Sequence, residues 1–206
     1  MNNTVQLIGW YGGDEVNACS AWTSTSRELT DDKRGRIGKL LKDLAANGHE
    51  TPFEKTMVHF LVDTDIATHI HLLKHRIASI NAESARYKEL KEDKNYIPSD
   101  WPDHWKEQLI KHNKQGDRLY HQCITNLVEG GMDRKRAKES ARYFKGYNSQ
   151  IQADIMFNFR SFVNFQRLRN SAHAQLEIRQ IAQEMVELIK SIEGNPLKYT
   201  IEAFGL

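Results

Sequence analysis

From Ala174 onward the chain places Ile178, Ile181, Met185, Leu188 and Ile192 at heptad-like intervals, a spacing that turns to one side only in an α-helix. A helix with one apolar face must bury it against another element. Between Thr56 and Val62 a second period appears, with Val58, Phe60 and Val62 on one face of a strand. Periods of 3.6 and 2 in one chain of 206 residues restrict the fold to helices packed on a sheet.

The remaining punctuation fills in that frame. Val5–Trp10 reads as a first strand ended by Gly12-Gly13. Ile37, Leu40, Leu41 and Leu44 share a helical face that stops at Asn47-Gly48. Thr51-Pro52-Phe53-Glu54 has the form of a capping box with proline at the first helical position. Asp65 can cap a helix in which Ile66, Ile70 and Leu73 share a face, and that helix should end near His75. After a loop over 91–104, a long helix is predicted for Asp103–Glu129, ended by Gly130-Gly131. Asp133 caps the next, with Ala137, Ala141 and Phe144 inside. Tyr147–Phe157 stays open between strand and other structure. There is no internal repeat. The expected architecture is α+β, an antiparallel or mixed sheet packed with long helices. It forms a single domain over 1–206 with a helical insertion at roughly 100–145.

Charge narrows the partners. The 29 basic and 27 acidic residues leave a formal charge of +2, whereas proteins held to nucleic acid by general electrostatics carry a larger basic excess. Any cationic site is therefore local and suits a small anion. The start MNNTVQLIGWYGGDE lacks the basic and long apolar regions of a secretory signal, and no run is long enough to span a bilayer. Cys19 and Cys123 are too few for a disulfide framework. A soluble cytoplasmic protein without membrane or nucleic-acid partners is expected.

Two stretches concentrate polar chemistry. Residues 74–87, KHRIASINAESARY, hold the fixed cations Lys74, Arg76 and Arg86 among hydrogen-bonding side chains. Alternation from Ser79 aims Ser79 and Asn81 one way and Ile80 and Ala82 the other, with Ser84 and Arg86 close behind. Guanidinium forks match phosphate oxygens in pairs, so the stretch can take an anion; a solvated charged loop has the same composition. Residues 157–179 thread Asn158, Arg160, Asn164, Arg169 and His173 between the core-like Phe162, Phe165 and Leu168. An arginine amid phenylalanines costs free energy unless it meets an anion or a carboxylate such as Glu177. The same arginine-aromatic mixture at 157–169 is compatible with single-stranded RNA. Neither GxGxxG nor GxxxxGK[ST] occurs. His71 and His75 are spaced i, i+4 but lack the glutamate of HExxH, so no metal is expected. Neither cysteine has an activating partner in sequence.

The run His75-Arg76-Ile77-Ala78-Ser79-Ile80-Asn81-Ala82-Glu83-Ser84-Ala85-Arg86-Tyr87 resembles the RHRxxSxNxxSxRY signature of flavin-dependent thymidylate synthases, with Lys74 in place of the first arginine. GHETPFE at 48–54 is similar to that family's flavin-contacting segment. Arg142 falls where the family places a substrate-contacting arginine. Asn158-x-Arg160, Asn164, Leu168-Arg169 and His173-Ala174-Gln175 resemble its C-terminal half-site.

The resemblance implies reductive methylation of dUMP to dTMP on FAD, with methylenetetrahydrofolate as carbon donor and NADPH as reductant. It implies that Ser84, Arg86 and Arg142 hold dUMP, with His71, Lys74 and Glu83 nearby. Arg169 would touch the uracil ring as the catalytic residue, where a cation favours negative charge. Ser26, Thr51, Glu54, Lys74, His75, Arg76, Asn158, Arg160, Asn164 and His173 would line the flavin. A homotetramer with shared active sites is implied too. The chain departs from the pattern at Lys74, at His71, at Ser24, in the missing Leu-Pro after Arg142, and at Ala82-Glu83, where many relatives carry the acid one residue earlier. Those departures leave room for a relative that alters dUMP differently, for instance by hydroxymethylation, or for a non-catalytic nucleotide-binding paralogue.

Overall fold

The predicted alternation is realised in four strands: β1 (Thr4–Tyr11), β2 (Met57–Asp65), β3 (Ser79–Ala82) and β4 (Gln150–Asn158), in the sheet order β1-β2-β4-β3. The computed structural model describes residues 2–206. Neighbouring strands run antiparallel. Thr4 meets Asp63 while Gly13 N donates to Thr56 Oγ1, so position rises along β1 as it falls along β2. Likewise Phe159 N donates to Thr56 O at 2.8 Å, and Ile66 N to Ser149 O at 3.1 Å. The ambiguous 147–157 stretch is therefore strand β4 from Gln150 onward.

The chain gathers into two compact units. One comprises Val5–Val62, Leu72–Ile80 and Asp154–Leu206. It holds the main core: Val58, Phe60 and Val62 of β2 and Ile155 and Phe157 of β4 pack with α6 (Phe159–Arg169) and α7 (Leu176–Lys190). The rings of Phe157 and Phe165 lie 5.2 Å apart and those of Phe157 and Phe162 5.7 Å apart in a T-shaped arrangement. Burying each such phenylalanine contributes about 1.5–3 kcal/mol. A smaller cluster joins α1 (Asp14–Trp22), α2 (Asp31–Ala46) and Phe53 of a 3₁₀ turn at Thr51–Lys55. Asp14 reaches across to the start of α8 (Lys198–Phe204), accepting from Tyr199 N and Thr200 N; burial pushes its carboxyl pKa up.

The other unit comprises Asp63–His71 and Asn81–Ala153 with residues 2–4. Its long α4 (Asp103–Glu129) and short α5 (Arg134–Ala141) close on a small apolar cluster of Tyr120, Ile124 and Ala141, with Cys123 partly buried beside it. Asp65 and Asp133 cap as predicted, accepting from Thr68 N and Arg136 N. No helix of the described residues is long and apolar enough to cross a membrane.

Several local expectations change. Thr51 makes no cap: the turn begins at Glu50, with Phe53 N bonding Glu50 O, and is too short for a capping box. In α3 (Ile66–Leu73) the buried face is Thr68, His69 and Leu72, while Ile70 and Leu73 are exposed. Phe144 lies past the end of α5 and is exposed, and Leu168 is 53% exposed. Glu177 accepts from Gln175, so it is not the carboxylate that meets Arg160.

Candidate functional site

In the larger unit, the chain leaves α3 with His75 N bonded to Leu72 O. Lys74 and Arg76 then point to solvent, but the histidine between them turns inward and is 4% exposed. Its ring packs against Phe157 and Phe165, at 5.6 and 5.5 Å between centroids, and its Nε2 lies 2.9 Å from Ser161 Oγ. Burial, then the nearby Arg169 cation, lowers the His75 pKa, which keeps the ring neutral. The same Ser161 Oγ donates to Ile77 O. Asn158 caps α6 through Ser161 N at 2.8 Å. Two residues after Asn158, Arg160 bonds Glu54 at 2.7 Å and Glu50 at 3.2 Å, and Arg167 approaches Glu50 at 3.6 Å. The Glu54 hydrogen bond holds the Arg160 cation firmly protonated.

Of the flavin set, Glu54, Lys74, His75, Arg76, Asn158 and Arg160 are thus drawn to one end of α6. Thr51 is exposed on the 3₁₀ turn, Asn164 on α6, His173 in the turn before α7, and Ser26 between α1 and α2. Arg169 is half-buried in the last turn of α6. Glu50 and Ser161 were missed by sequence reasoning. Glu50 belongs to the quoted GHETPFE run, 110 residues from Arg160, and nothing along the chain pairs the two; nothing local marks Ser161.

In the smaller unit, Glu83, Ser84 and Arg86 follow β3. Ser84 Oγ accepts from Arg86 N at 3.3 Å. Arg86 Nε donates to Glu139 Oε1 at 2.8 Å, a bond that holds Glu139 well below the usual carboxylate range. This leaves the outer edge of the guanidinium for another acceptor. Arg142 caps the same α5 helix that carries Glu139, and it is exposed. Glu83 accepts from Gln152 N at 3.1 Å and pairs with Lys88. His71 is half-buried on α3. A cavity of about 520 Å³ touches Glu83 and is lined by Glu89, Glu92 and Asp93; one of about 490 Å³ lies between 93–97 and α4. Arg86 and Arg142 line neither.

The larger unit's donors suit a dinucleotide. Lys74 and Arg76 offer outward charge to a pyrophosphate, and Asn164 adds an exposed amide. The smaller unit's Arg86, Ser84 and Arg142 are the donor types that hold a single phosphate.

A family model described as thymidylate synthase complementing protein matches residues 6–193. A flavin-dependent thymidylate synthase from Pseudothermotoga lettingae is 33% identical over 204 residues, covering 97% of this chain and 89% of the relative. One from Thermosipho africanus is 30% identical over 215 residues, covering 97% and 90%. Among solved structures, the UMP/dUMP methylase PolB from Streptomyces cacaoi, bound with 5-Br dUMP, superposes with a TM-score of 0.79. It is 26% identical, with 99% of this chain and 95% of that one covered.

Proposed function

This chain belongs to the flavin-dependent thymidylate synthase family, and from that premise we propose that it methylates dUMP reductively to dTMP. The carbon comes from methylenetetrahydrofolate and the reducing equivalents from NADPH. The observation that carries this reading is the exposure of the signature cations. Lys74, Arg76 and Arg86 all face solvent in a chain of net charge +2, where an anionic ligand can meet them.

Bound FAD supplies the hydride chemistry, and the protein supplies position and electrostatics. Lys74, Arg76 and Asn164 hold it, with Ser26, Thr51, Glu54, Asn158, Arg160 and His173 around them. Arg86, Ser84 and Arg142 take the nucleotide phosphate, flanked by His71 and Glu83. Glu139 steadies Arg86 from behind, so the fork is already aimed when the phosphate arrives. Arg169 stabilises negative charge on the pyrimidine ring. We place the whole chain in one domain with an insertion at about 100–145, working as a cytoplasmic homotetramer whose subunits complete one another's sites.

The test is a visible absorption spectrum of the purified protein followed by an assay for dTMP. A yellow protein that forms dTMP from dUMP with folate and NADPH is expected. A colourless protein that gains no flavin on incubation with FAD overturns the reading. The likeness to a UMP/dUMP methylase raises a second reading, in which UMP is also methylated. Competition between UMP and dUMP in the same assay separates the two.

A further inference from the structure

We propose that Ser161 is a positioning residue that locks the Lys74–Ile77 strap onto the first turn of α6, with His75 as its buried partner and not as a ligand contact. The inference rests on the reading above only for what the strap holds.

The strap has little else to hold it. Of residues 74–77 only His75 is buried; Lys74 and Arg76 are exposed, and Ile77 is 65% exposed despite its apolar side chain. An isoleucine pointing outward cannot anchor a loop by burial, so beyond the packing of the His75 ring the attachment is polar. Ser161 Oγ touches the strap twice, at His75 Nε2 and at the Ile77 carbonyl, while its own backbone N–H is held by Asn158. One hydroxyl thus ties the strap on both sides of Arg76 to the helix turn that also carries Asn158 and Arg160.

The proton inventory is determined. A carbonyl only accepts, so the single Ser161 proton goes to Ile77 O. The oxygen then accepts from His75, whose Nε2 must carry hydrogen. The ring stays neutral because a charged imidazolium would be buried among phenylalanines beside Arg169. With His75 turned in, its two neighbours Lys74 and Arg76 are both exposed to solvent. Replacing the hydroxyl strands the imidazole N–H of the buried His75 and also removes a donor from the Ile77 carbonyl, a loss that is expensive at the histidine because it is away from water.

The test uses flavin-free protein, wild type and Ser161→Ala, digested briefly with trypsin. Cuts after Lys74 and Arg76 are counted by mass spectrometry. We expect Ser161→Ala to be cut there about tenfold faster, with the far-UV circular dichroism retained and FAD affinity weakened by a similar factor. Wild-type cutting rates in the variant, or unchanged FAD affinity, overturn the proposal. If Ser161→Ala does not fold, the histidine ¹⁵N spectrum of the wild type decides. A neutral His75 with its proton on Nε2 upholds the lock, and the Nδ1–H form overturns it. A wild-type protein that binds no FAD sinks the proposed function instead, and the proteolysis and the tautomer still judge the lock.

Discussion

Arg160 and Arg86 carry the same group and each meets a carboxylate, yet the ground beneath them differs. Arg160 stands on α6, whose other face presents Phe159, Phe162 and Phe165 to an aromatic core. Arg86 stands on a loop in a unit whose apolar cluster is small and whose interior is tied by charge. There Lys145, with its side chain 4% exposed, bonds Asp93 at 2.5 Å and Asp117 at 2.6 Å. Its ammonium also lies 4.8 Å from the centre of the buried Tyr120 ring, and His121 meets Asp93 at 3.0 Å. Hydrophobic burial is non-directional and sets how firmly a helix sits. Ion pairs are directional and set where a loop goes. The Arg160 surface built on the first and the Arg86 fork built on the second should therefore fail in different ways.

The largest effect expected is on stability. Phe165→Ala should cost about 4 kcal/mol, read as a lower melting temperature and faster hydrogen exchange in α6 and α7. Lys145→Met, which leaves Asp93 and Asp117 facing each other, should cost about 3 kcal/mol, with faster exchange in α4 and α5. Equal loosening of all four helices in both variants would break the comparison.

Next comes turnover. Arg169→Ala should keep fold and flavin colour but lower dTMP formation by about 100-fold, the scale for removing one charge-stabilising donor. A variant that melts instead would move Arg169 to the structural side.

The smallest effect is with pH. His75 in the larger unit and His69 in the smaller are both buried with lowered pKa values. Below the ordinary imidazole value of 6.5 the unfolded chain takes protons that the folded histidines refuse. Stability is therefore fully present above 6.5 and falls with acidification, until the lowered folded values are passed. His75→Gln should flatten only part of this slope in denaturant titrations, because His69 remains. An unchanged slope would mean that His75 is not desolvated.

Much of this was legible beforehand where the signal is local. The Asp103–Glu129 helix, the caps at Asp65 and Asp133, and the outward Ser79 and Asn81 of β3 follow from periodicity and turn chemistry within a few residues. The signature at 74–87 was likewise readable as a concentration of cations, whereas the exposure of Lys74, Arg76 and Arg86 came only from the structure. Faces were less so: Ile70, Leu73 and Leu168 keep a helical spacing yet remain exposed, because which side of a helix is covered depends on what arrives there. The sequence by itself determined most kinds of element, though not strand β4 or the turn at Thr51, and the polar side chains concentrated at 74–87 and 157–179. Only the tertiary structure decided that Arg160 pairs with Glu50, 110 residues away in sequence, and that His75 turns in toward Ser161, 86 residues away. Caps and periods are settled by neighbours along the chain, whereas partners are settled by the path the chain takes through space.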